Sequence, residues 1–309
     1  MAKIVVVGSI NMDVVIRVPH IPVEGETLLA VSVANYGGGK GANQAVAVGR
    51  LGGDVSMIGR LGKDDYGKAL FDNLSNSGIH TEGIQWDSEE PTGTAFINVS
   101  DRGENNIVVY SGANSRLDIP QVERYTHLLE QAEYCLMQLE IPTETVKHVT
   151  EVCRSKGIKV LLNPAPAQAL ESKLLKGLYM LIPNESELDL LCPEPGDIES
   201  KAKRLFETGV QNVLVTLGSK GCMLINNEGI QYFSAIQVEA KDTTAAGDSF
   251  IGGLAVGLSQ GKTVAEAIRY ASVVAGIAVS REGAQSSIPD RETVEAYIQN
   301  HDFSSIFNN

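Results

Sequence analysis

The richest chemistry in the sequence lies in Lys241-Asp242-Thr243-Thr244-Ala245-Ala246-Gly247-Asp248-Ser249-Phe250, a small, polar segment that runs into the apolar stretch Ile251–Leu258. The apolar half predicts a helix. Small residues just ahead of a helix start leave backbone N–H groups pointing outward at the positive end of the dipole. Such amides, here those of Ala245, Ala246, Gly247 and Asp248, make an anion hole suited to phosphate. Asp248 falls in the first turn, where two roles compete. It can cap the helix, or it can be a general base that takes a proton from a hydroxyl attacking the neighbouring phosphate.

A second signal is Gly37-Gly38-Gly39-Lys40-Gly41-Ala42-Asn43-Gln44, leading into the helical Ala45–Leu51. Its glycines let backbone approach a ligand closely, and Lys40 and Asn43 supply polar handles. A plain structural turn is the competing reading. It is not a Walker loop, because Gly41 follows Lys40 where Ser or Thr is required. Gly257-Leu258-Ser259-Gln260-Gly261-Lys262-Thr263 imitates a phosphate loop, but its glycines are too closely spaced and it joins two helical stretches, so it reads as a helix–helix turn.

Weaker signals follow predicted strands. Ser9-Ile10-Asn11-Met12-Asp13 offers an amide and a carboxylate for sugar hydroxyls, and Gln138-Leu139-Glu140-Ile141-Pro142 carries an acid. Pro183-Asn184-Glu185-Ser186-Glu187 has acids able to hold hydrated magnesium, with Asn184 as a helix cap the alternative. Thr216-Leu217-Gly218-Ser219-Lys220-Gly221 is a glycine-rich turn. Together these segments supply hydroxyl binders, an anion hole, a base and an acidic magnesium shell. Phosphoryl transfer needs that set, because positioning and electrostatics do most of its work.

The elements that must position them are legible as an alternation. Ile4–Val7, Cys135–Leu139, Lys159–Leu162, Tyr179–Ile182 and Val213–Thr216 read as buried parallel strands, and Thr143–Ser155, Glu185–Leu191 and Lys201–Thr208 as helices between them. The expected fold class is α/β: one domain over residues 1–309 with a mostly parallel central sheet flanked by helices. Val14–Ala34 and Gly93–Tyr110, the latter a hairpin turning around Asp101–Asn105, break the alternation and read as a small projecting sheet, either an ordinary edge or a lid. Ligands of such folds bind beyond the carboxyl ends of the strands.

The 309 residues carry 25 Lys and Arg against 38 Asp and Glu, a formal charge of −13 that argues against nucleic acid and anionic membranes as partners. The four cysteines make no C-x-x-C and the five histidines are scattered, so no zinc or thioredoxin motif exists. The N-terminal apolar run Ile4–Val7 is too short for a signal peptide, and no run approaches the roughly 20 residues of a membrane span, so a cytoplasmic protein is expected.

Gly37–Gln44 and Asp242–Phe250 resemble the N-terminal and C-terminal signatures of the ribokinase-like carbohydrate kinase family, of the phosphofructokinase-B type, and the similarity covers essentially the whole chain. The resemblance implies a Rossmann-like fold, phosphorylation of D-ribose at its 5-hydroxyl by ATP, magnesium with the nucleotide, and activation by potassium. It makes Asp248 the catalytic base. Sugar contacts come from Asn11, Met12, Asp13, Gly39, Lys40, Gly41, Ala42, Asn43 and Glu140. ATP meets Asn184, Thr216, Leu217, Gly218, Ser219, Lys220, Gly221, Gly247, Asp248 and, near the adenine, Ser272. Glu187 organises magnesium through water. Asp242, Thr244, Ala278, Arg281, Gly283 and Ser287 ring the potassium, several of them through carbonyls. A homodimer clasped through the projecting strands is also implied. Other acceptors remain open: deoxyribose, fructose, a sugar phosphate or a nucleoside. So does a non-catalytic sugar sensor. Lys40 is the one cation near the sugar signals, which favours an uncharged sugar over a sugar phosphate. Phe96 and Tyr110 are the only aromatic residues of the lid segment Gly93–Tyr110, few for stacking a nucleoside.

Overall fold

A run such as Ile4-Val5-Val6-Val7, apolar at every position, can bury both faces only inside a sheet covered on both sides. The computed structural model, which describes residues 3–301, places it so. Residues 1–2 and 302–309, counted in the expected domain, lie outside the described residues. In chain order the strands are β1 (Ile4–Val7), β2 (Asn11–Val18), β3 (Ser32–Gly38), β4 (Val55–Gly62), β5 (Ile79–Asp87), β6 (Gly93–Ser100), β7 (Asn105–Tyr110), β8 (Tyr134–Met137), β9 (Lys159–Leu162), β10 (Met180–Leu181), β11 (Val213–Thr216), β12 (Cys222–Asn226) and β13 (Gly229–Phe233).

Nine of them form one sheet in the order β13-β12-β11-β10-β9-β8-β1-β4-β5. From β11 to β5 every neighbouring pair is parallel; β12 runs antiparallel to β11 and to β13. Strand alternation divides the core: Ile4 and Val6 pack into one layer, Val5 and Val7 into the other. The first layer holds helices Lys40–Arg50, Ala246–Ser259 and Val264–Val279; the second holds Thr143–Lys156, Glu185–Leu191 and Ile198–Glu207. Helix Ala246–Ser259 lies hard against Lys40–Arg50 because Gly252 has no side chain, and a Cβ there would stand 2.4 Å from that of Ala47. After β1 the chain builds toward β4 and β5; from β8 it builds the other way. The gap between β1 and β8 is therefore the topological switch point, where α/β sheets open a crevice for ligands.

The second sheet has the order β3-β2-β6-β7, with β2 parallel to β6 and antiparallel to β3. β6 and β7 form the expected hairpin, turning at residues 101–104. The projecting strands differ from expectation in extent. Residues 19–31 form no strand, while β2 starts at Asn11 and β3 ends at Gly38, so both run into the site. Only Gly8, Ser9 and Ile10 separate β1 from β2, too short a break to read from the sequence. Other boundaries shift too. Tyr179–Ile182 shortens to β10, Cys135–Leu139 becomes β8, and Lys201–Thr208 begins earlier, at Ile198, behind the Asp197 cap. The helix expected from Ala45 starts at Lys40, so half of the glycine-rich signature is its first turn. The Gly257–Thr263 segment is a helix–helix turn as expected, with Thr263 and Glu266 forming a capping box. All four cysteines are buried and free. No described helix is long and apolar enough to cross a membrane.

Candidate active site

At the switch point the loops after β1 and β8 meet. Glu140 Oε2 accepts from Ser9 Oγ at 2.6 Å and from the Lys40 N–H at 3.1 Å, and Ser9 Oγ in turn accepts from the Gly41 N–H at 3.2 Å. These bonds tie the first turn of helix Lys40–Arg50 to both loops. The entry to that helix needs Gly39, which sits at φ 84°, a left-handed conformation that costs other residues energy. Beside it Asn11 is buried, its Oδ1 accepting from Asn114 Nδ2 at 2.7 Å. Asp13, two residues further along β2, is also buried, and no described side chain donates a hydrogen bond to it. Burial pushes its carboxyl up to about 7, helped by the Glu140 and Asp248 carboxylates and opposed by Lys40. Lys40 feels the reverse. Burial acts to lower its pKa, but Asp248, Glu140, Glu187 and Asp13 outweigh that and hold the ammonium above its ordinary value. Asn11, Asp13 and Asn43, buried, and Lys40 and Glu140, half-buried, are thus brought together around the Gly39 turn, whereas Met12, on the opposite face of β2, and Ala42 pack into the hydrophobic core.

Asp248 is buried on the same side. It does not cap its helix: Ala245 holds the N-cap position without a side-chain bond, and the Asp248 carboxylate reaches across to the neighbouring helix. Asn43 Nδ2 donates to Oδ2 at 2.9 Å and Gln44 Nε2 to Oδ1 at 3.1 Å. Burial raises its pKa, with Lys40, Asn43 and Gln44 opposing. Ala245 has φ 58°, the one non-glycine among the described residues with positive φ. That conformation turns the backbone so that the N–H groups of Gly247 and Asp248 find no acceptor among the described residues. Of the four amides expected in the anion hole, that of Ala246 differs, because it donates to Thr243 O at 3.2 Å.

On the far side of this turn opens a cleft of about 690 Å³. Asn184, Thr216, Gly218, Ser219, Gly221, Gly247 and Ser272 line it, as expected of a nucleotide site. Leu217 and Lys220 do not: Leu217 is packed into the core below, and Lys220 points to solvent from the turn. Ser272 spends its hydroxyl proton on Ile268 O of its own helix at 3.0 Å. The sequence reading missed the other wall, built from Ile236, Val238, Phe250, Ala275 and their neighbours. Residues 235–240 belong to no strand or helix, so no periodicity marks them. Asn184, which lines the cleft, forms a capping box with Glu187, which does not: Asn184 Oδ1 accepts from Glu187 N–H at 2.8 Å, and Glu187 Oε2 from Asn184 N–H at 2.9 Å. The cap reading of Asn184 and its place in the cleft both hold. Glu187 is buried, which raises its pKa, and its second oxygen stays free of these bonds.

Behind the anion turn, Asp242 joins two segments. Its Oδ1 accepts from Thr244 N–H at 2.8 Å and Thr244 Oγ1 at 2.6 Å, and its Oδ2 from Gly283 N–H at 2.9 Å. Burial acts to raise the carboxyl, but these bonds outweigh it and hold it below its ordinary value. The helix ending at Val279 runs into a tight turn through residues 280–287 here, with Arg281 N–H on Ala278 O at 3.0 Å and Ser287 Oγ on Ala284 O at 2.7 Å. Among the described residues no cluster of three or more His, Cys, Asp or Glu forms an all-protein metal centre.

A doubly covered parallel sheet, a buried carboxylate beside unpartnered amides at its crevice, and an adjoining cleft are the parts of a phosphotransferase, and comparison gives the class. The model of the pfkB family carbohydrate kinases matches residues 1–291, and the chain belongs to that family. More particularly, it is 42% identical over 298 residues to the ribokinase of Haemophilus influenzae, covering 95% of this chain and 97% of the relative. The crystal structure of the Thermotoga maritima ribokinase superposes with a TM-score of 0.91 at 41% identity, covering 97% of this chain and all of that one. The structure of the Arabidopsis thaliana ribokinase complexed with ribose and ATP superposes with a TM-score of 0.88 at 32% identity, over 96% of this chain and 98% of that one.

Proposed function

We propose that this protein, folded as one kinase domain with a lid sheet, transfers the γ-phosphate of ATP to the 5-hydroxyl of D-ribose, giving ribose 5-phosphate and ADP. The observation that carries the reading is the turn at residues 245–248. Its Gly247 lines the large cleft, while its Asp248 carboxylate lies in the polar pocket one residue later. A group held between the two would have a base on one side and free N–H donors on the other. The Arabidopsis relative, solved with ribose and ATP, supports the same pair of substrates here.

In this mechanism Asn11, Asp13, Glu140 and the Gly39–Asn43 turn hold the sugar. Asp248 takes the proton of the primary hydroxyl as its oxygen attacks the γ-phosphorus in line, and the bond to the β-phosphate oxygen breaks with its electrons leaving on ADP. Burial raises the basicity of Asp248 toward the range a general base needs. The N–H groups of Gly247 and Asp248, with the Lys40 ammonium, meet the charge that develops on the transferring group. The residues present also fit the cations. Magnesium keeps most of its waters and takes one or two carboxylates plus phosphate oxygens, and the free oxygen of buried Glu187, near Lys40 and Asp248, suits that role. When bound, it neutralises charge on the phosphates. Asp242, Thr244, Ala278, Arg281, Gly283 and Ser287 would hold potassium through oxygens, several of them carbonyls, and Asp242 draws the two segments together by accepting from the Thr244 and Gly283 N–H groups. Val33, Phe96, Val108 and Tyr110 are exposed on one face of the lid sheet, and Tyr36, Ile107 and Val109 on the other, so the sheet offers apolar surface for a homodimer clasped through it. An enzyme that draws on ATP suits the cytoplasm, where that nucleotide is held.

The test is ADP release with magnesium-ATP and ribose, 2-deoxyribose, fructose, fructose 6-phosphate or adenosine, each in potassium and in sodium. Turnover on ribose that rises with potassium is expected. Turnover on another acceptor alone would discard the sugar assignments, and silence on all of them would favour a binding protein over an enzyme.

A further inference from the structure

Side-chain amides converge on Asp248 from two directions. On one side Gln138 Nε2 donates to Gln44 Oε1 at 2.6 Å, and Gln44 Nε2 donates to Asp248 Oδ1 at 3.1 Å. On the other, Asn73 Nδ2 donates to Gln285 Oε1 at 2.6 Å, Gln285 Nε2 to Asn43 Oδ1 at 3.1 Å, and Asn43 Nδ2 to Asp248 Oδ2 at 2.9 Å. An amide can turn either its oxygen or its nitrogen toward a neighbour. Here a donor behind each inner amide occupies its carbonyl, leaving only the NH₂ end to face the carboxylate. The direction of both inner bonds is thus set by residues that do not touch Asp248.

We propose that Gln138 and Gln285 are positioning residues, acting through Gln44 and Asn43 to lock the Asp248 carboxylate in plane with one oxygen held from each side. Two features separate this from core packing. Gln138 Oε1 is buried with no hydrogen-bond partner among the described residues. Proteins seldom leave a buried polar atom so, and an aliphatic side chain would fill the same space without that cost. The backbone is also kept clear for this amide, because a Cβ on Gly8 would stand 2.1 Å from Gln138 Oε1. The relay gathers residues from the loop after β8, helix Lys40–Arg50, helix Asp65–Asn76 and the turn Gln285–Ser287, so four separate parts of the chain converge on one carboxylate.

The proposal rests on Asp248 being the base, and the experiment separates the two claims. kcat and the KM for ribose are measured from about pH 5 to 9 for the full chain, Gln138→Met, Gln285→Met, Asp248→Asn and the double variant Gln138→Met/Asp248→Asn. The charged groups facing Asp248 are Lys40, Glu140, Glu187 and Asp13, and none is altered. Each single amide variant should lose about tenfold or more in kcat, with the ribose KM within about twofold. The acidic limb of kcat should move to higher pH, since a carboxylate that loses N–H donors is harder to ionise. In the Asp248→Asn background Gln138→Met should add less than about twofold. Folded amide variants with unchanged kcat and limb, or an undiminished loss in that background, would overturn the relay. Full turnover by Asp248→Asn alone would overturn the base itself, and the relay with it. If the methionine variants do not fold, Asn73→Ala at the half-buried outer end should still move the limb, and an unmoved limb there overturns the proposal.

Discussion

The two halves of the site are built by opposite means. The acceptor half is a pocket of buried charge and amide in which Asn11, Asn43, Glu140 and Asp248 each have a named side-chain or backbone partner. The nucleotide half is a cleft of about 690 Å³ walled by Ile236, Val238, Phe250, Ala275 and Gly276, and the hydroxyl at Ser272 is turned to its own helix. A pocket of the first kind discriminates sharply, because a wrong ligand leaves buried polar groups unpaired. One of the second kind selects by shape and by backbone, and tolerates small changes in polar side chains. The acceptor half should therefore answer to single-atom changes, and the nucleotide half to changes of volume.

The largest effect that contrast predicts is at Asp248. Asp248→Asn keeps the shape and removes the base, so kcat should fall by about a hundredfold to ten-thousandfold with ribose binding nearly intact, checked by turnover and by calorimetry with ribose. Next is Asp13. Asp13→Asn should raise the ribose KM by about tenfold to a hundredfold and leave the ATP KM alone, as the loss of a buried hydrogen-bond acceptor would. The same variant has a pH signature. The Asp13 carboxyl is raised to about 7 in the fold from 3.8, so the native state holds its proton longer than the unfolded chain. Its contribution to stability is complete below the unfolded value and is lost as pH rises through about 7. Against wild type without ligands, Asp13→Asn should gain melting temperature at alkaline pH relative to acid pH. An equal difference at both would show that Asp13 ionises freely.

How much of this was readable beforehand follows the same division. Ile4–Val7 and Val213–Thr216 are strands in the structure as in the sequence, because every residue in them favours a strand buried on both faces. Asp248, Lys40 and Asn43 were readable because their residue types sit beside glycines at a helix start. Their supports were not. Gln285 and Asn73 reach the site over separations of 242 and 212 residues in the hydrogen-bonded pairs that carry them, and nothing local marks a glutamine as wired to a carboxylate. The helix start at Lys40 was obscured by glycines, whose poor propensity is overridden by the bonds from Lys40 to Glu140 and from Gly41 to Ser9. The cleft wall at 235–240 has no period to detect, and the edge strands β5 and β13 mix polar with apolar residues.

The smaller predictions probe the nucleotide half. Ala275 is half-buried in the cleft wall, and Ala275→Leu should raise the ATP KM by about tenfold by filling space, with ribose KM unchanged. Ser272→Ala should do almost nothing: the proton it deletes is bonded to Ile268 O at 3.0 Å, inside the helix and away from the cleft. An ATP KM within about twofold of wild type is expected, since the substitution deletes a bond made inside the helix and leaves no cleft-facing group unpaired. A tenfold rise would mean that this hydroxyl leaves its helix to meet the base when nucleotide binds. The nucleotide half would then recognise its ligand as the acceptor half does, by single polar atoms, and the contrast between the two would fall.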